Sequence, residues 1–421
     1  MEQLPSPHPS EYTPEHVSTL TETAQDFYPL AIENFTEQEA AVTREHTGIL
    51  IDRENPTAQR LEQAISETGG AIPYSRFMEE SLFGADGYYS AGHARIRGHF
   101  ITSPELSEGF NTSMGEACRK VWQAMDKPGT FSVVEMGAGN GTMAKDILVW
   151  ARRNHPDFYD ALSYTIVEYG DLADKQRTTI GSSSFRSHAG SQASTAEEHA
   201  LDIQKVTWLR DSAITADFGE FEGVFLSNEL PDAFPVEVVR NQNGRLEQKY
   251  IGIEEDEWIE VWQSPSADVL NHIAQHGVQL AEGCAEPINL NAAAWQQHLA
   301  ESLVRGAIIT TDYGQFGPNR ASKATRTFPE KVGSEYRNPG FTDITADVNF
   351  ETLQIVAERA GLTAAFACTQ AEFLLANGFP PPDELEQHLS GVDLMGAKRM
   401  FEGFGSSCQT LMVTKELELA A

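Results

Sequence analysis

One short stretch, Val133-Val134-Glu135-Met136-Gly137-Ala138-Gly139-Asn140-Gly141, constrains this chain more than any other. An apolar strand ends at an acidic residue, the backbone turns through three alternate glycines, and the helical pattern TMAKDILVWARRN follows at once. Glycines in that arrangement let the main chain come close to a ligand that side chains would hold off. A dinucleotide fold would place the last glycine of its GxGxxG at position 142, where this chain has Thr142.

Alternation continues on both sides of the loop. FSVVEM, YTIVE, GVFLSNE and GAIITTDYG read as strands, with helices between them around TMAKDILVWARRN and LADKQRTTI. Such a βαβ rhythm predicts an α/β fold with a mainly parallel sheet. Ligands of open parallel sheets sit beyond the carboxyl ends of the strands, so Glu168, closing YTIVE, is placed to accept hydrogen bonds from ribose hydroxyls. Its bland alternative is an exposed strand-end glutamate. An acid before GxGxG and a second acid at the next strand end suit S-adenosylmethionine better than a pyrophosphate, with Glu135, Gly137, Gly139, Gly141 and Glu168 around the nucleoside. A merely structural tight turn is the competing reading.

Three regions are expected: residues 1–55, proline-rich at the start and acidic, as a partly flexible extension; 56–125 as a helical and loop cap; and 126–421 as the core, with insertions at about 235–300 and 315–390. Asn243-Gly244 marks a hairpin turn in the first insertion. The glycine- and aromatic-rich segment from Gly84 to Glu105 reads as a long ordered loop, suited to closing over a ligand. SSCQTLMVTK near the C-terminus reads as a closing edge strand.

The 62 acidic and 30 basic residues leave a formal net charge of -32, which disfavours nucleic acid and anionic membranes and favours a basic partner or a cationic substrate; solubility or a salty cytoplasm explains such acidity equally. Neither a signal peptide nor a membrane span is evident, so a cytoplasmic location is expected. The four cysteines form no CxxC pair and read as buried thiols.

YSRFMEESLFGADGYYS, GHFITSPE, VVEMGAGNG, LSNELPDAFPVE, TTDYG, NPGFTDITADVNFETL and TQAEFLLANG occur in an order that resembles the MidA-type family of S-adenosylmethionine-dependent methyltransferases, over about residues 60–415. The resemblance implies a class I methyltransferase fold, a Rossmann-like seven-stranded sheet with extra elements over the site. It also implies kinship with mitochondrial protein arginine methyltransferases that act in respiratory complex I assembly. The chain departs from the family pattern at His99, where an acid is usual, in LPDAFP after Asn228-Glu229, and at Asp347 and Asn349.

Methyl transfer from a sulfonium is an in-line displacement, so the protein chiefly aligns the reactants and excludes water; no metal is needed. A guanidinium acceptor keeps its proton at neutral pH and needs carboxylates to orient it and assist proton loss. Glu229 and Asp232, just past a core strand, are candidates for that clamp; a turn cap for Asp232 and a donor contact for Glu229 are the alternatives. Asp312 and Tyr313 end a strand at the same sheet edge and either line the pocket or make a turn. Within Thr102–Glu105, Ser103, Pro104 and Glu105 read as a plain helix start, with Ser103 capping, which the resemblance raises to a cofactor-side motif together with Asn228. His99 is a candidate base or a structural loop histidine. His272 and His276, at i,i+4 spacing without a third ligand, read as a solvated helix face. The expected activity is protein methylation, with small-molecule methylation or a catalytically silent assembly factor as alternatives.

Overall fold

A computed structural model describes residues 42–93, 101–170, 172–182, 201, 203–317, 324–328, 334–389, 391–401 and 407–419. Its centre is a sheet whose long strands are β1 (Phe131–Met136), β2 (Leu162–Glu168), β3 (Val206–Arg210), β4 (Phe221–Asn228), β5 (Leu303–Gln315), β6 (Thr363–Thr369) and β7 (Cys408–Lys415). In space they run β6-β7-β5-β4-β1-β2-β3. The strands from β1 to β5 pair in parallel, whereas β7 runs antiparallel to both of its neighbours. An eighth strand, Val348–Asn349, pairs in parallel with the end of β5, so the count exceeds the seven expected.

Helices cover both faces, which is why the central strands are apolar almost throughout. Alternation along β1 divides the core in two. Val133 packs with Phe110, Ala117, Val121, Met143 and Ile147 of the helices Glu108–Ala124 and Thr142–Asn154. Val134 and Met136 pack with Ala292, Trp295, Leu299 and Leu353 of the helices Leu290–Ser302 and Phe350–Arg359.

A second, antiparallel sheet combines four strands inserted between β4 and β5 with two from the N-terminal region. Its order is Thr43–Leu50, Glu257–Gln263, Arg245–Glu254, Glu237–Gln242, Ala285–Ile288, with Ala71–Pro73 pairing on Arg245–Glu254. Asn243 and Gly244 turn its hairpin at φ of +53° and +74°, the left-handed values a two-residue loop demands. Leu61, Ile65, Phe77, Met78 and Leu82 of the N-terminal helices fill the core beneath it with Trp258 and Trp262.

Several expectations change. Thr43–Leu50, inside the stretch expected as an extension, is a strand of the second sheet, because its partner lies some 210 residues away and no local pattern announces it. Part of the expected 315–390 insertion is core: the helix Phe350–Arg359 and β6 complete the central layers. β7 is not an edge. It lies between β5 and β6, and β6, with exposed residues alternating along it, is the edge strand. His272 is not on a solvated face: it is buried, meets the His276 ring edge-on at 4.5 Å, and burial pushes its imidazole down to about 3. Among the described residues no group of three or more His, Cys, Asp or Glu side chains is placed to hold a metal ion, and no helix is long and apolar enough to cross a membrane.

Candidate functional site

Register brings the singled-out residues to one sheet edge. Met136 lies opposite Val167 and Ser227, and Asn228 lies opposite Thr311, so the glycine loop, Glu168, Asn228-Glu229 and Asp312 all leave the sheet on the same side.

At the β1 and β2 ends, Gly137, Gly139 and Gly141 have φ of +71°, +54° and +78°. These are conformations in which a Cβ is strained. A Cβ on Gly137 would stand 2.9 Å from Leu230 Cδ1, so this glycine also admits packing from the β4 exit. The Gln176 amide donates to the Gly139 carbonyl at 3.0 Å and to Glu168 Oε2 at 3.1 Å, while Trp208 Nε1 donates to Gln176 Oε1 at 3.1 Å. Burial pushes Glu168 up to about 7, opposed by Gln176 and by the N–H groups of Tyr169, Gly170 and Gly139. Glu135 stands just before the loop. It is buried against the helical layer, accepts from the Tyr164 hydroxyl at 2.7 Å, and is likewise raised to about 7 by burial.

The short helix Ser103–Leu106 crosses this edge. Thr102, not Ser103, is its N-cap residue, and Pro104 stands in its first turn. The Ser103 N–H donates to Glu229 Oε1 at 3.0 Å, and its hydroxyl donates to Gln370 Oε1 at 3.2 Å. Glu105 is buried and receives the Asn140 amide at 3.1 Å and the Thr142 hydroxyl, clamping the glycine loop.

At the β4 and β5 ends four carboxylates gather. Glu229 is held at φ +49°, a value few non-glycine residues adopt, with its N–H donating to the Thr311 carbonyl at 2.9 Å. Its Oε1 also accepts from Asn228 Nδ2 at 3.1 Å, and burial pushes it up to about 7. Asp312, fully buried, accepts from the backbone N–H of Asp232 at 3.1 Å and of Tyr313 at 2.7 Å. Asp232 is buried on the turn Pro231–Ala233 and does not cap it; among the described residues its carboxylate accepts no hydrogen bond and forms no ion pair. Burial raises Asp232 well above the usual carboxylate range, the neighbouring Glu229 and Asp343 raise it further, and the positive charge of Arg326 opposes them. Asp312 is raised in the same way by burial and then by Asp232 and Glu229, and burial raises the Tyr313 phenol.

Three residues not singled out in the sequence complete this end. Asp343 is buried and accepts from the Tyr89 hydroxyl at 3.0 Å. Arg326 lies over the Tyr313 ring at 5.3 Å and pairs with Asp347. Asp343 stands within TDITADVNF and Tyr89 within YSRFMEESLFGADGYYS, so motifs marked both segments; nothing local marks Arg326. His99 lies outside the described residues, as do residues 94–100 of the expected closing loop. Asn349 caps the helix after it, accepting from the Thr352 N–H at 3.0 Å. A cavity of about 200 Å³ lined by His276, Glu286, Gln315, Asp347, Asn349 and Glu351 lies beyond Asp347 and shares no residue with the glycine-loop end.

Residues 113–368 match a family model described as "Putative S-adenosyl-L-methionine-dependent methyltransferase". The human mitochondrial protein arginine methyltransferase NDUFAF7 is 27% identical over 382 residues, covering 83% of each chain. Its Drosophila melanogaster homolog is 27% identical over 317 residues, covering 72% of this chain and 70% of that one. A Burkholderia thailandensis superfamily member solved bound to S-adenosyl-homocysteine superposes with a TM-score of 0.70 at 24% identity, over 99% of this chain and 96% of that one. The same family's structure solved without that ligand superposes at 0.68. The cytoplasmic location expected from the sequence is corrected by these relatives: the curated ones are mitochondrial proteins, which points away from the cytoplasm. With its matched segment spanning more than half of its length, the chain belongs to the MidA-type family of S-adenosylmethionine-dependent methyltransferases.

Proposed function

We propose that the protein transfers a methyl group from S-adenosylmethionine to an arginine side chain of a basic protein, on a seven-stranded class I core extended by the short strand Val348–Asn349. The relatives named as protein arginine methyltransferases support the acceptor class. The observation that carries the reading is Asp232: a buried carboxylate beside three others, with no hydrogen bond or ion pair among the described residues. Burying such a group costs several kcal/mol unless a cation or donor arrives to meet it.

The residues at the β1 and β2 ends suit the donor. Asn140 Oδ1 in the glycine loop and Asn228 Oδ1 at the β4 exit are buried acceptors without partners, while the other end of each amide donates to Glu105 or Glu229. Two orphan acceptors suit the ammonium of a bound amino acid. Glu168, already seated on the loop, suits ribose hydroxyls. When bound, S-adenosylmethionine supplies an electrophilic methyl carbon on a sulfonium that leaves as a neutral thioether.

Glu229 and Asp232 then orient the guanidinium. Its five N–H donors lie in one plane, and carboxylates on two sides fix that plane and turn one nitrogen toward the methyl carbon. As the nitrogen–carbon bond forms and the carbon–sulfur bond breaks, that nitrogen sheds a proton to a carboxylate oxygen of the pair. The raised proton affinities of Glu229 and Asp232 suit them to take it. Asp312 ties the turn that bears Asp232 to the end of β5, since one oxygen accepts from the Asp232 N–H and the other from the Tyr313 N–H of its own strand.

Incubation with radiolabelled donor and an arginine-rich protein acceptor, followed by acid hydrolysis, tests the reading. Label recovered as methylarginine is expected. Label recovered only in small molecules would overturn it.

A further inference from the structure

Asp343 opens the short strand Asp343–Thr345, antiparallel to Arg326–Phe328. The strand is tied to the turn that bears Asp232, because the Ala346 N–H donates to the Asp232 carbonyl at 2.9 Å. Only 3% of Asp343 is exposed, its charge bears on Asp232, and no described cation is paired with it. Its one side-chain partner is Tyr89, whose hydroxyl donates at 3.0 Å.

Tyr89 itself is seated toward the other end of the site. Its ring stacks on Phe83 at 5.5 Å and 17°, and Phe83 meets Tyr169 edge-on at 5.5 Å. Tyr169 directly follows Glu168 and gives that carboxylate its N–H. One aromatic ladder therefore runs from the donor-side strand end to a hydroxyl that holds an acid on the acceptor side. A purely structural Tyr89 would need its ring but no buried carboxylate beside Asp232.

Building on the arginine reading above, we propose that Asp343 is a third carboxylate facing the acceptor guanidinium, and that Tyr89 is the positioning residue that aims it. Glu229 and Asp232 arrive from β4 and Asp343 from a separate hairpin, so the acceptor plane is met from two chain segments. Tyr89→Phe keeps the stack on Phe83 and deletes the hydroxyl.

The test titrates arginine amide into full-length protein loaded with S-adenosylhomocysteine and measures steady-state methylation of an arginine-rich protein. Tyr89→Phe is expected to weaken arginine amide by about tenfold or more, the worth of one hydrogen bond to a charged group, and to raise the acceptor KM in parallel. S-adenosylhomocysteine affinity should stay at its wild-type value. Asp343→Asn should weaken arginine amide further. Equal loss of S-adenosylhomocysteine affinity in Tyr89→Phe would show a general packing role and overturn the assignment. Wild-type arginine amide affinity in both variants would also overturn it. Wild-type protein that binds no arginine amide and forms no methylarginine would instead sink the arginine reading, and this assignment with it.

Discussion

The two ends of the site treat their carboxylates differently. At the glycine-loop end, Glu168 is met by Gln176 and by backbone N–H groups, and Glu105 by Asn140 and Thr142. At the β4 and β5 end, Asp232 meets no donor among the described residues and Asp343 one side chain. Buried polar groups are nearly always hydrogen-bonded, and Glu229, met by Ser103 and Asn228, and Asp312, met by two N–H groups, share the finished character of the first set; among the described residues Asp232 is the acceptor-end carboxylate left for a ligand to complete. The contrast teaches where to look for each substrate. A neutral ribose can be met by satisfied groups with spare lone pairs, whereas a guanidinium repays the burial of unmatched negative charge.

Breaking the acceptor end should give the largest effect. Glu229→Gln and Asp232→Asn keep size but remove charge and the ability to take a proton, a contribution of roughly 100-fold or more in rate. Each variant should lose about that much in single-turnover methyl transfer, with donor affinity within about threefold of wild type by calorimetry. Near-normal rates in both would erase the distinction between the two ends; lost donor binding would move Glu229 to the donor frame.

Stability should show the same asymmetry through pH. Burial holds Asp343 near 7 in the folded protein against an ordinary value of 3.8. A carboxyl raised on folding contributes stability that is fully present below its unfolded value and is lost as pH rises through its folded one. Asp343→Asn has no such loss and can still accept from Tyr89. It should therefore be more stable than wild type at pH 8, by on the order of 2 kcal/mol, with the difference closing as pH falls below about 4. Denaturant titrations of both proteins at pH 8 and pH 5 check this; comparing the pair at each pH removes the opposite trend of buried His272. A variant less stable than wild type at pH 8 would mean that the Asp343 charge is already compensated.

The donor frame should respond in affinity rather than in rate. Gly139→Val places a branched side chain at φ +54°, in a loop whose carbonyl and N–H are both engaged with Gln176 and Glu168. A left-handed valine costs about 1–2 kcal/mol locally, and restoring ordinary φ would tear those bonds. Donor affinity should fall about tenfold or more. Unchanged affinity in folded variant would detach the loop from the donor.

How much of this was legible in the chain follows from distance along it. Strand, glycine loop and helix are contiguous from Phe131 to Asn154, and Glu168 ends the next strand, so period and spacing alone locate them. The acceptor end is assembled from remote pieces. Asp343 meets Tyr89 across 254 residues, and that pairing leaves no periodic trace. Glu135 is a related case. Its position before the glycines is readable, but the direction of its carboxylate depends on Tyr164, across the sheet. β7 looked like an edge because it comes last, yet chain order does not dictate spatial order, and its largely buried residues pack between β5 and β6. His272 sits on a helix whose polar residues suggest solvent, but contact with the helix Phe350–Arg359, through Arg359 donating to the Gln275 carbonyl at 2.7 Å, removes that face from water.

The smallest expected effect sharpens the comparison by lying outside both ends. Gly244 turns the hairpin of the inserted sheet at φ +74°, with Asn243 beside it at +53°. The Asn243 and Gly244 N–H groups both donate to the Glu282 carboxylate, the latter at 3.0 Å, so the turn is anchored to the loop after the helix Ala267–His276. Gly244→Ala adds a Cβ in the left-handed region and should cost about 1 kcal/mol of stability. Among the described residues no group of either end bonds to the turn. Donor affinity and methyl-transfer rate should therefore match wild type while the denaturation midpoint falls. If either functional quantity dropped with the midpoint, the inserted sheet would be coupled to the site as a whole, and the difference between the two ends could no longer be read from local hydrogen bonding alone.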